Sequence, residues 1–158
     1  MRLYELFDLE ELKIDNVRGA GAVPDNQNVD YRGLRVQMKP SMFLELAHKL
    51  RHPESVEGLA KHIEQGGAIG APFLIIEIPR DWWEKDSKFA SIPTVVGHEG
   101  RNRMMAIQKV EGDHSVEVHL FFRGEVRARH LTPKIIDKLN WMMRSQDGKL
   151  IDGPLFYT

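Results

Sequence analysis

The sequence predicts one small α/β (α+β) domain, and three observations carry that expectation. Its 158 residues are 42% apolar and 28% charged, enough to bury one sizeable core with an ordinary globular composition. Short β-branched or alternating runs are interleaved with runs of helical period. No internal repeat and no low-complexity segment interrupts that order. The pattern leaves strand order open.

The elements follow in turn. Residues 1–15 mix Leu and Phe with Asp and Glu and read as a short strand or helix packed on the body. Residues 16–30 are dense in Gly, Asn and Asp, which supply turns, so a loop is expected there. Leu34–Met38 alternates apolar and polar, as a half-buried strand does. Pro40-Ser41 opens a helix with Ser41 as its cap and Phe43, Leu46, Ala47 and Leu50 on one face, until Pro53 stops it. A second helix, capped by Glu54 or Ser55, carries Val56, Leu59, Ala60 and Ile63 and ends at Gly66-Gly67. Phe73–Ile78 is a short, nearly continuous apolar run and predicts a buried strand. Pro79–Ser91, with Trp82 and Trp83, is an irregular excursion. Thr94–Val96 is a strand that runs through a turn at Gly97–Gly100 into a helix over 101–110, closed by Gly112. Val116–Phe122 is a further strand. Thr132 and Pro133 start a last helix to Arg144, in which Trp141-Met142-Met143 reads as core packing.

Composition also excludes functions. With no cysteine there is no disulfide framework, thiolate zinc site or cysteine nucleophile. A formal net charge of -1 argues against a bulk cationic surface for nucleic acid, though not against a local basic site. The longest apolar run, Ala71–Ile78, is broken by Pro72 and Glu77 and falls far short of a bilayer span. The acids at the start do not suit a signal peptide, so a soluble, cytoplasmic protein with no membrane partner is expected.

The informative stretch is Val95-Val96-Gly97-His98-Glu99-Gly100-Arg101-Asn102-Arg103. A strand, a glycine turn and a helix start place unpaired backbone amides and the positive end of the helix dipole at one point. Gly97 and Gly100 would let the backbone approach an oxyanion, and Arg101 and Arg103 add forked donors suited to phosphate. Cations at a helix start oppose the dipole, a small cost that an anion between them would offset. The plainer alternative is an ordinary Gly-x-x-Gly turn with solvated arginines.

Glu99-Gly100-Arg101-Asn102-Arg103-Met104-Met105-Ala106 resembles the Asp-Gly-x-His-Arg-x-x-Ala box of the ParB/sulfiredoxin-like superfamily. Ser55–Leu74 is similar to the same family's segment of leucine-alanine helix, glycine, proline and apolar strand, so the resemblance covers about residues 55–120 of a single 1–158 domain. Val29–Leu34 and Lys39-Pro40-Ser41 resemble proteins of bacteriophage genomes, which would place the chain in the bacterial host cytoplasm. The resemblance implies a small mixed sheet flanked by helices and a nucleotide phosphate at the helix start. Glu99 and Asn102 depart from the box's Asp and His, and asparagine cannot shuttle a proton near neutral pH. His98 is the remaining imidazole. Sulfiredoxin activity is excluded for want of a cysteine, and chromosome partitioning is not expected, because the residues after the box leave little room for a helix-turn-helix domain.

The resulting expectation is a nucleotide, ATP or CTP with Mg²⁺, or a nucleic-acid phosphate held by Gly97, Gly100, Arg101, Asn102 and Arg103. Glu99 would hold the metal or position a water, with Glu99 and His98 as the catalytic pair if phosphoryl transfer or hydrolysis occurs. On this view Arg103→Ala weakens binding without unfolding the protein. The alternative is a non-catalytic phage accessory module binding DNA or a host protein; a homo-oligomer is compatible with either. A nuclease would need Asp30, Glu77 and Glu99 to converge. His48 and His52 have metal-ligand spacing, but a dipole-complementing role for His52 is favoured. Trp82-Trp83 suits a satellite core or oligomer contact better than base stacking. Arg123, Arg127, Arg129, His130 and Lys134 form a local basic cluster that could meet DNA or simply guard a sheet edge.

Overall fold

The computed structural model describes residues 29–49, 56–67, 70–82 and 92–158. The described residues form four α-helices and a six-stranded mixed sheet. In chain order the elements are β1 (Val29–Met38), α1 (Pro40–Leu46), α2 (Val56–Glu64), β2 (Phe73–Glu77), β3 (Thr94–Glu99), α3 (Arg101–Glu111), β4 (Val116–Arg123), α4 (Pro133–Leu139), β5 (Met142–Arg144) and β6 (Leu150–Asp152). One-turn 3-10 helices lie at Arg80–Trp82 and Ala128–His130. The α+β class read from the sequence is the class observed.

The sheet runs β1-β4-β2-β3-β5-β6. β2 sits at its centre, parallel to β4 and antiparallel to β3, so its run Phe73–Ile76 is buried on both faces. One face carries Leu34, Leu74, Leu120 and Phe122 into a core shared with Phe43 and Leu46 of α1, Met104 and Ile107 of α3, and Ile136 and Leu139 of α4. The other face gathers Val29, Phe73, Ile75 and Phe121, with the Tyr31 and Phe121 rings edge to face at 5.5 Å. Each such side chain contributes about 1.5–3 kcal/mol on burial.

Several boundaries move from those the sequence predicts. β1 begins at Val29, so the last two residues of the expected 16–30 loop are strand, paired with Arg123 and Phe122. The remainder of that loop, the segment before it and the capping residues Glu54 and Ser55 lie outside the described residues. Ser41 is not a cap: Lys39 occupies that position without a side-chain bond. Ser41 instead binds Asp113 through its backbone N at 2.8 Å and its hydroxyl at 2.6 Å, tying α1 to the turn after α3. α1 stops at Leu46 because Ala47 is extended; Leu50 and Pro53 lie outside the described residues.

The last helix shows the largest departure. Apolar residues continue at helical spacing past Leu139, yet Asn140 ends the helix and its side-chain oxygen accepts from Leu155 N at 2.9 Å and Phe156 N at 2.7 Å. The chain turns and Met142–Arg144 becomes β5, pairing with β3 at Thr94↔Arg144 and with β6. Of the expected core triplet only Met143 is buried; Trp141 is 56% exposed and Met142 36%. A free edge of β3, with Arg144 N donating to Pro93 O at 2.7 Å, outweighs the local helical pattern. Thr132 caps α4 as expected, accepting from Ile135 N at 3.2 Å. Among the described residues no helix is long and apolar enough to cross a membrane.

Candidate functional site

β2 and β3 set up the site. Their ladder continues to Glu99, which opposes Phe73, so Gly97 and His98 are strand residues rather than part of a turn. Gly100 alone makes the turn, with φ at +100°, and caps α3. A Cβ there would fall 2.8 Å from Pro72 Cβ and 2.9 Å from Arg103 Nη2, so the backbone path and close packing already demand glycine. Gly97 faces Ile75, whose Cδ1 a Cβ would meet at 3.1 Å, and it does not line the cleft described next.

That cleft, about 390 Å³, is lined by Leu59 of α2 and by every residue from His98 to Arg103. The first intrahelical bond of α3 is Met104 N to Gly100 O, at 2.9 Å. The amides of Arg101, Asn102 and Arg103 therefore have no acceptor within the helix, and neither a capping side chain nor a first-turn acid answers the dipole.

The two arginines take different tasks. Arg101 reaches across to α1, where Nη1 donates to Leu44 O at 2.8 Å. Arg103 is only 9% exposed; its Nη1 donates to Gly70 O at 2.9 Å, while Nη2 lies 3.6 Å from Glu99 Oε1 and has no hydrogen bond. Burial lowers the pKa of this guanidinium and Glu99 opposes that shift. Asn102 has its own buried, unbonded Oδ1. Rotation of that amide exchanges acceptor for donor, so it can serve a ligand of either kind. Arg103→Ala would therefore cost stability as well as a ligand contact, since this side chain also bonds the Gly70 carbonyl inside the protein.

His98 is half-buried and its Nδ1 meets Gln146 Oε1 at 2.8 Å. Burial holds its pKa below the usual histidine range; Arg101 and His48 add to this, and Gln146 and Glu99 oppose it. Among the described residues Glu99 is the one carboxylate lining the cleft, and it faces Arg103. A single, already engaged carboxylate does not fit a resident Mg²⁺, and no group of three or more His, Asp or Glu among the described residues could hold a metal.

The strand register separates the three acids that a nuclease would need. Glu99 opposes Phe73 at one end of β2 while Glu77 opposes Thr94 at the other, about 13 Å apart at ~3.3 Å per residue. Asp30 lies near the Glu77 end, opposite Phe122, and accepts from Ala128 N at 3.1 Å and Arg32 N at 3.0 Å. In the basic cluster, Arg123 is spent on Glu77 at 2.8 Å and His130 Nδ1 accepts from Arg127 N. His48 pairs with Asp147; His52 and Trp83 lie outside the described residues. Trp82 is core, 4% exposed, with Lys138 Nζ 4.7 Å above its ring.

Sequence reasoning missed Gln146, which sits in the β5–β6 turn and reaches His98 from 48 positions away. No local pattern marks it, because an exposed glutamine in a turn is ordinary. Compared with known proteins, the chain matches no family model, no curated protein and no solved structure.

Proposed function

We propose that this chain binds the phosphate of a nucleotide, or of a nucleic acid, at the start of α3. The single observation that carries the reading is Arg103 Nη2, a buried charged donor with no hydrogen bond and only a 3.6 Å approach to Glu99, on a residue that lines the cleft with Arg101 and Asn102. A buried donor left unsatisfied costs about 1–3 kcal/mol, and more when charged, so an oxyanion that accepts from Nη2 and the amides gains what the free protein forgoes. Asn102 adds a donor once its amide is turned. Arg101 contributes charge at the rim while it fastens α3 to α1. The resemblance of Glu99–Ala106 to the ParB/sulfiredoxin-like box supports the same ligand class, and ATP or CTP is its natural form. Mg²⁺ would arrive on the phosphates rather than in a protein cage.

The test is a thermal-shift panel with ATP, CTP and short single- and double-stranded DNA, each with and without Mg²⁺. Ligand at a hundred times its Kd adds about 2.7 kcal/mol, roughly 5–11 °C for a domain of this size. Arg103→Lys keeps the charge and loses the fork, and Asn102→Ala removes the second donor; both shrink the shift. No shift with any ligand, or an undiminished shift in both variants, refutes the reading.

A further inference from the structure

The β5–β6 turn is fastened down at several points, and the fastening concerns His98. Gln146 N donates to Leu46 O at 3.2 Å. Lys149 Nζ binds Glu45 Oε2 at 2.9 Å and Asp147 holds His48, so the residues that follow Gln146 are tied to the end of α1 and the segment just past it. Inside the turn, Lys149 N donates to the buried Ser145 hydroxyl at 3.0 Å. The Gln146 side chain then spans two groups of β3. Its Nε2 donates to Val96 O at 3.2 Å, and its Oε1 meets His98 Nδ1 at 2.8 Å.

Those two contacts fix a proton. The Val96 carbonyl can only accept, so the amide nitrogen must face it; the flipped amide would set two oxygens against each other. Oε1 therefore faces the imidazole, and Nδ1 must carry hydrogen to donate to it. The Nε2 of a neutral His98 is then bare, and no described residue bonds it. Free histidine in water favours the opposite tautomer. We infer that Gln146 is a positioning residue that holds His98 as its Nδ1–H tautomer, making His98 Nε2 the proton acceptor for a water that attacks the phosphate seated at α3.

This inference rests on the anion seat proposed above. The cleft has room for roughly a dozen waters at ~30 Å³ each, enough for a phosphate and its attacking water, and His98 lines it together with the α3 amides. The charged and titratable neighbours of His98 are Glu99 on its own strand, Arg101 on α3 and His48 beyond α1. In the step, water oxygen forms the new bond to the terminal phosphorus while its proton passes to Nε2. The terminal phosphoanhydride P–O bond breaks, its electron pair leaves with the nucleoside diphosphate, and the imidazolium returns the proton to solvent.

Two measurements on the intact chain decide it. Long-range ¹H–¹⁵N correlation of the ligand-free protein at pH 7.5 should give His98 a protonated Nδ1 and a bare Nε2. Gln146→Leu, which removes the acceptor, should mix the tautomers. A wild-type Nε2–H tautomer overturns the proposal. Phosphate release from ATP and CTP with Mg²⁺ is the second measurement. His98→Gln should lose about 100-fold or more in kcat while the nucleotide-induced shift persists, and Gln146→Leu, with its tautomers mixed, should lose part of that turnover. Turnover undiminished in His98→Gln, or a wild type that binds without turnover, overturns the base role and leaves the seat standing. A wild type with no shift overturns both.

Discussion

Replacing Gly100 with alanine separates two reasons for a glycine at the head of α3, a backbone path that only glycine takes easily and a close approach by ligand. Its φ of +100° already lies where a side chain is strained, at about 1–2 kcal/mol. The new methyl would press on Pro72 Cβ at 2.8 Å and on Arg103 Nη2 at 2.9 Å, and neither yields freely, since the proline is ring-bound and the guanidinium is anchored on Gly70 O. Overpacking of this kind costs about 1–3 kcal/mol, while the stiffer unfolded chain returns about 0.4–1 kcal/mol. The balance is a loss of about 2–4 kcal/mol without any ligand, or a fall in Tm of roughly 4–16 °C at about 2–4 °C per kcal/mol. Gly97→Ala is the internal comparison. Its φ is not positive, and its methyl would press only on the Ile75 Cδ1 at 3.1 Å while meeting Cβ and Cγ1 at ordinary contact distance, so its cost stays below about 1.5 kcal/mol. The assay is urea denaturation of both variants beside wild type in ligand-free buffer. Equal stabilities for Gly100→Ala and wild type would refute the claim that packing, before any ligand, dictates this glycine.

Further outcomes follow from the same contacts. Arg103→Ala should destabilise by about 2–4 kcal/mol, because Gly70 O loses a charged donor inside the protein; a denaturation midpoint equal to that of wild type would contradict this. Asn140→Ala should cost about 1–3 kcal/mol by freeing the amides of Leu155 and Phe156, and Asn140→Asp, which keeps the acceptor, should cost less; the check is the same denaturation series. Thr132→Ala should remove about 1 kcal/mol with the α4 cap, read as a lower Tm. Burial lowers the folded-state pKa of both His98 and His119, so the unfolded chain binds the extra protons. Stability should hold above the ordinary histidine value near ~6.5 and fall as pH drops below it through the folded values. Denaturation at pH 7.5 and 5.5 measures the loss, which His119→Gln should reduce; a pH-independent midpoint would contradict the burial argument.

The amino-acid sequence by itself determined the α+β class, the buried strand that starts at Phe73 and the strand that starts at Val116, each to within one residue at its end, the Thr132 cap and the glycine stops at Gly66 and Gly112. These are local matters: side-chain period, a cap three residues from its amide, a φ that one residue type tolerates. It also placed a strand, a glycine and a helix start at 94–103, because that succession is local too. What those side chains do there was settled by tertiary contact. Arg101 is anchored by a carbonyl 57 positions away, Arg103 by one 33 away, and His98 by an amide 48 away. Hydrogen bonds at such separations leave no periodic trace, so two arginines that read alike in the sequence take different places, one bonded across to α1 and one buried between Gly70 O and Glu99. The same holds for Met142–Arg144, where helical spacing is genuine but the open edge of β3 takes the segment as a strand. Local pattern fixes what a segment can become, and the long-range partner fixes which of those it is.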